Sequence, residues 1–252
     1  MTAGERRAQI EKLLKEKKEI EVSELNKLFD VSGVTLRNDL IQLERQGVAK
    51  RLFGKVVLKN SLFQLNSNLA NTKNIREKEQ IGKYAATLIN PGDSVLFYVG
   101  STTQQVVHFL DYDMEFVAVT NSIYIAHELR NYPNVQTLLI GGNVSDEVGA
   151  TYGLPAIEQI RQYNFDKVFL SVEGIDAKMG ITNRLNFEND IMREILDCPA
   201  RVIVVADHTK VGAVTFVQMG EIGRVDLLVT DSKADRAQVE SMRSKGVEVV
   251  TV

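Results

Sequence analysis

The sequence predicts a winged helix over residues 1–58, mostly α with a small β wing, then a linker at 59–75 and a larger Rossmann-like α/β domain over 76–252. Three observations predict it. Two helical patterns meet at a glycine-containing turn around Ser32-Gly33 and lead into an alternating run interrupted by Gly54, which is how a helix-turn-helix with a wing reads. Beyond residue 76, helical segments alternate with short runs of Val, Ile and Leu that are apolar on both faces, as in a mostly parallel sheet covered by helices. Charge is uneven: residues 1–57 hold 12 Lys and Arg against 9 Asp and Glu, a net of +3, whereas the rest holds 18 against 24, a net of −6. That asymmetry suits a small module that meets phosphate joined to a larger one with another task.

The first helix, Glu5–Lys17, carries Ala8, Ile10, Leu13 and Leu14 as its apolar stripe. Ser23 is expected to cap a second helix with Leu25, Leu28 and Phe29 inward, before Asp30-Val31-Ser32-Gly33 breaks it. Ser32 then caps a third helix from Gly33 to Gln46, with Val34, Leu36, Leu40 and Leu43 inward and Gly47 as its stop. Val48–Leu58 reads as a two-stranded wing, and the asparagine-rich stretch before Ile75 as a linker. In the second part, helices are expected at Glu77–Ile89, from Thr102, and at Ile123–Arg130, Leu154–Gln162, Phe187–Leu196 and Ala234–Ser244. Strands are expected at Ser94–Val99, Phe116–Val119, Val135–Ile140, Lys167–Val172, Arg201–Ala206, Leu227–Val229 and Val247–Val250.

Composition narrows the function classes. With 44% hydrophobic and 25% charged residues in 252, the chain is neither a disordered polymer nor a collagen-like or coiled-coil rod. No run approaches the roughly 20 apolar residues of a membrane span, and the charged start lacks a secretory signal. A cytoplasmic protein with no membrane partner is expected. The single Cys198 and the scattered His108, His127 and His208 lack metal-ligand spacing, so neither metal nor cofactor is expected.

In open α/β sheets, ligands gather at the carboxyl ends of strands, where helix N-termini offer N–H groups to anions. Gly100-Ser101-Thr102-Thr103 stands at such a joint, with a glycine for close backbone approach and hydroxyls suited to phosphate. Thr120-Asn121 and Gly141-Gly142 end the next two strands. Glu173-Gly174-Ile175-Asp176, Glu188 and Asp207-His208-Thr209-Lys210 occupy later joints, with carboxylates for acid–base work or hydroxyl binding and a cation for phosphate.

These residues resemble the DeoR-type bacterial transcriptional regulators. The likeness runs through Arg6, Ile10 and Leu14, then Ser32-Gly33-Val34-Thr35-Leu36-Arg37-Asn38-Asp39-Leu40, Leu43-Glu44, Gly47 and Arg51-Leu52-Phe53-Gly54. Lys55 and Val56 stand where the family usually has glycine and alanine. Across residues 76–252 the strand-end motifs, with Gly180, Val211-Gly212 and Thr230-Asp231, look like the family's sensor domain. That domain is similar to ribose-5-phosphate isomerase and glucosamine-6-phosphate deaminase and commonly answers to phosphorylated sugars. Tyr98, Ser145 and Met192 replace a frequent aspartate, arginine and lysine.

The resemblance implies a repressor of a sugar catabolic operon that binds operator double-stranded DNA as a dimer or tetramer and releases it when a phosphorylated sugar binds. DNA contacts are expected from Ser32, Gly33, Thr35, Arg37 and Asn38 on the third helix and from Lys50, Arg51 and Lys55 on the wing. The effector is expected at Gly100, Ser101, Thr102, Thr103, Thr120, Asn121, Gly141, Gly142, Gly174, Asp176, Glu188, Asp207 and Lys210. An active isomerase or deaminase with an appended DNA-binding module stays open as the alternative, because Glu173, Asp176, Glu188 and Lys210 could supply acid–base chemistry.

Overall fold

The computed structural model describes residues 1–17, 19–46, 48–52, 54–58, 73–145, 148–184 and 189–252, with the backbone alone for Arg45, Lys50 and Leu52. The candidate Glu188, the helix stop Gly47 and most of the expected linker lie outside the described residues. The chain divides into two compact units, residues 1–69 and 70–252. No helix among the described residues is long and apolar enough to cross a membrane.

In the first unit, helix α1 (Ala3–Lys17) leads through β1 (Glu19–Glu21) to α2 (Val22–Phe29), α3 (Gly33–Arg45) and the wing strands β2 (Ala49–Leu52) and β3 (Lys55–Leu58). Ile10, Leu14, Leu25, Phe29, Leu36, Leu40, Leu43 and Val56 form its core. The wing has one strand more than the sequence predicts, because β1 pairs antiparallel with β3 on the side away from β2. Four local expectations need correction. Ser23 lies inside α2 rather than capping it; the first helical N–H, that of Val22, donates to Gly54 O at 2.8 Å, so the wing turn takes the cap's place. Leu28 and Val34 point outward, 58% and 71% exposed, since the core claims Leu25 and Phe29 from α2 and Leu36, Leu40 and Leu43 from α3. Ala8 is exposed as well, and Arg6 takes an inward position on α1 instead, paired with Asp39.

The second unit is built on a seven-stranded, all-parallel sheet. Its strands are β4 (Ser94–Phe97), β5 (Phe116–Thr120), β6 (Val135–Leu139), β9 (Lys167–Leu170), β12 (Arg201–Val205), β14 (Leu227–Thr230) and β15 (Glu248–Thr251), in the spatial order β6-β5-β4-β9-β12-β14-β15. The order of connection reverses between β4 and β9, where Phe97 and Phe169 stack at 5.5 Å. One face packs on α4 (Ile75–Ala86), α5 (Ser101–His108) and α6 (Ile123–Leu129), through Ile81, Val106, Ile125 and Leu129. The other packs on α7 (Leu154–Ile160), α8 (Asn189–Asp197) and α9 (Arg236–Ser244), through Ile160, Ile191, Ile195 and Met242. Two small antiparallel additions were not expected: the hairpin β7 (Asn143–Ser145) with β8 (Ala150–Tyr152), and a three-stranded sheet of β10 (Gly174–Asp176), β11 (Gly180–Asn183) and β13 (Val217–Gly220). Their strands, of three or four residues, are too short to announce themselves by alternation, and those of the three-stranded sheet each contain a glycine.

Candidate functional site

At the start of α3, Ser32 Oγ accepts from Thr35 N at 3.1 Å and pairs with Thr35 Oγ1 at 2.8 Å, so these two residues fix the helix terminus by an ordinary cap. Arg37 and Asn38 project from the exposed face, as does Val34. Val34, expected in the core, is exposed on the same face. Beside α3 lies a groove of about 380 Å³, lined by Gly33, Arg37, Arg51, Gly54 and Lys55 together with residues of α2. Four of the expected DNA-facing residues, Gly33, Arg37, Arg51 and Lys55, therefore share one concavity. Lys50 lies on β2, and its side chain is outside the description. Arg51 is paired with Glu44 and Lys55 with Glu19 and Glu21, whereas Arg37 has no ion-pair partner among the described residues.

In the second unit the reversal of strand order sets β4 beside β9, and the crevice at their carboxyl ends is where such sheets take ligands. Gly100 precedes α5 here, and a Cβ added to it would stand 2.2 Å from Ser171 Cβ, so only glycine lets the two loops meet. Ser171 Oγ accepts from Thr103 N at 3.0 Å and pairs with Thr103 Oγ1 at 2.8 Å. The N–H groups of Ser101 and Thr102 lie in the first turn of α5, which has no intrahelical partner to offer them.

A residue missing from the sequence reading completes this end. Lys78 on α4 is only 6% exposed, and its Nζ donates to Ser101 Oγ at 2.9 Å. It reaches that hydroxyl because α4 and α5 touch one turn further on, where a Cβ on Gly82 would stand 2.6 Å from the Gln105 backbone. Burial pushes the Lys78 ammonium below the usual lysine range; the Asp207 carboxylate opposes that shift, while Lys210 and Lys73 add to it. The Lys210 and Lys73 ammonium groups thus both act on the Lys78 charge, which sits beside a helix N-terminus. Asp207 is itself buried. Burial tends to raise its pKa, but bonds from the Thr209 hydroxyl and N–H and from the Asn74 amide, with the Lys78 charge, bring it below the ordinary range. The signal for Lys78 was available: it falls on the buried stripe of α4 with Ile81, Gly82 and Ala85.

The remaining expected residues hold the loops in place. Thr120 Oγ1 donates to Phe97 O at 2.7 Å, and the Asn121 amide accepts from Val99 N at 2.9 Å and donates to Thr151 O at 3.3 Å. Gly141 N donates to Gln159 Oε1, and a Cβ on Gly142 would meet Tyr152 O at 2.6 Å. Gly174 packs against the Ala213 carbonyl, where a Cβ would stand 2.4 Å away. Asp176 Oδ1 accepts from the N–H groups of Lys178 and Met179, and its Oδ2 from Gln238 Nε2. The parallel bridge between Ile175 and Val211 lays the β10 segment against Lys210 and Gly212.

Comparison with known proteins matches both units. The DeoR-like helix-turn-helix domain matches residues 6–61, and the DeoR C terminal sensor domain matches residues 73–232. HTH-type transcriptional repressor GlcR of Bacillus subtilis is 32% identical over 99% of this chain and 96% of its own length. HTH-type transcriptional regulator GolR of Listeria innocua is 31% identical over 97% of each. Among solved structures, ribose 5-phosphate isomerase A of Methanocaldococcus jannaschii aligns with 53% of this chain and 52% of its own, at 12% identity and a TM-score of 0.38.

Proposed function

The chain belongs to the DeoR family of transcriptional regulators, and from that premise we propose that it represses a sugar catabolic operon and that a phosphorylated sugar releases it from operator DNA. The observation that carries the effector half is the buried Lys78 ammonium on Ser101 at the start of α5, with the Lys73 and Lys210 charges close enough to act on it. A phosphate dianion fits there: the free N–H groups of the first helical turn, the Ser101 and Thr102 hydroxyls and the lysines are all donors. The sugar would extend from this seat past Ser171 toward Glu173 and the residues that follow. We assign the protein no turnover. Asp176, a carboxylate that an isomerase would need free, has both oxygens engaged in holding a turn and α9.

On DNA, α3 would lie in the major groove with Val34, Arg37 and Asn38 toward base edges, and Arg51 and Lys55 on the backbone. Release requires that the effector favour one arrangement of the DNA-binding units in an oligomer over another, since a ligand indifferent to both shifts nothing. Two measurements test the proposal. Arg37→Ala should weaken binding to an operator recovered by selection from genomic fragments by about 10- to 100-fold, the worth of one bidentate base contact, while affinity for random duplex falls less. Undiminished operator selectivity would remove Arg37 from the reading helix. Titration with sugar phosphates should also raise thermal stability, by about 2.7 kcal/mol at 100 times the dissociation constant; a folded protein that responds to none of a broad panel has no such effector site.

A further inference from the structure

Three cations line the groove between α3 and the wing, yet two of them are already held by carboxylates, in two different ways. Glu44, near the end of α3, grips Arg51 at several atoms. Its Oε1 accepts from Arg51 N at 2.8 Å, and its Oε2 accepts from Nε at 2.9 Å and sits 2.8 Å from Nη2. Both side chains are partly buried, at 27% and 32% exposure. The backbone bond ties β2 to α3, and the side-chain bonds fix the guanidinium plane, leaving Nη1 for another acceptor. Glu19 and Glu21 on β1 do something else. They are more exposed, at 40% and 51%, and they meet Lys55 only at its Nζ, at 2.9 and 3.6 Å. That is the one atom with which a lysine could hold a phosphate.

We infer that Glu44 is a positioning residue that presets Arg51 to receive a DNA backbone phosphate in the groove beside Arg37, whereas Glu19 and Glu21 compete with that phosphate for Lys55. The inference rests on the DNA-binding reading above. Fixing the arginine fork in the free protein means that less side-chain freedom is lost on binding. A carboxylate on the rim of a DNA site ordinarily repels the duplex, so simple charge counting expects removal of any of these three glutamates to tighten binding. The geometry expects them to divide.

The test uses the full chain and a labelled duplex of about 30 base pairs and arbitrary sequence at fixed salt, because backbone contacts do not depend on sequence. Glu44→Gln should weaken binding by about 3- to 10-fold, and Glu19→Gln with Glu21→Gln should tighten it by about 2- to 5-fold. In an Arg51→Ala background Glu44→Gln should no longer weaken binding, since the loss acts through the guanidinium that Glu44 presets. Arg51→Lys, which keeps the charge and loses the fork, gives a second reading should Glu44→Gln disturb the wing, and it should lose affinity to a similar degree. Glu44→Gln protein that binds as tightly as the parent or tighter, a loss that persists without Arg51, or an Arg51→Lys protein of full affinity overturns the inference. Parent protein that ignores duplex altogether fails one step earlier, at the DNA-binding reading itself.

Discussion

Asp39→Ala is expected to unfold the amino-terminal unit and abolish duplex binding, while residues 76–252 keep their structure. Arg6 Nε lies 2.6 Å from Asp39 Oδ2, with 8% and 4% of the two side chains exposed, and Arg7 Nη1 approaches Oδ1 at 3.6 Å. Removing one partner of a buried pair leaves the other charge uncompensated, at a cost of about 3–5 kcal/mol. A domain of this size has only several kcal/mol of net stability, at about 0.05–0.15 kcal/mol per residue, so the change consumes most of it. Hydrogen exchange resolved by segment is the measurement: protection should vanish across α1 to α3 and persist in the parallel sheet. Replacing the pair together, Arg6→Met with Asp39→Leu, should restore much of the protection, because two apolar side chains need no partner in the same space. Preserved protection and duplex affinity in Asp39→Ala would mean that the pair contributes little to the unit.

Lys78→Met is expected to leave the chain folded and bound to operator but deaf to its effector. The substitution keeps the length and apolar stem of the side chain and removes a charge that burial disfavours, while Asp207 keeps its bonds from Thr209 and Asn74, so the chain should stay folded with a modestly lower thermal midpoint without ligand. A charge-assisted bond to phosphate is worth about 1.5–3 kcal/mol, and a loss of about 2 kcal/mol weakens effector binding roughly 30-fold. At a ligand concentration 100 times the parent dissociation constant, the stabilisation should then fall from about 2.7 to about 0.9 kcal/mol. In an operator-release assay the variant should need proportionally more sugar phosphate. A variant that responds like the parent would place the phosphate elsewhere than the start of α5.

The two predictions differ in how far the sequence could have led to them. Arg6 and Asp39 both belong to the pattern that identifies the family, yet nothing in that pattern says that they touch; they lie 33 positions apart and meet only once α1 packs across α3. Lys78 is visible as a cation on an apolar stripe, but its meaning depends on Gly82 letting α4 close on α5. Val34 and Leu28 were misplaced inward for a related reason. On short helices several apolar residues fit a helical period, and only the neighbouring elements decide which of them are covered. The β10-β11-β13 sheet was invisible because strands of three or four residues containing glycine carry almost no period at all.

By itself, the sequence determined the order of elements, the division into a basic helical part and an α/β part, and the family, because these follow from local periodicity, turn chemistry and motif spacing, all of which are properties of neighbouring residues. Tertiary structure alone decided that β4 and β9 meet at the reversal of strand order, and that a buried ammonium reaches Ser101 at the start of α5. It also set the pairing of two groove cations, Arg51 with Glu44 and Lys55 with Glu19 and Glu21. Those outcomes depend on contacts between residues tens of positions apart, and they come into being only when burial of apolar faces brings the elements together.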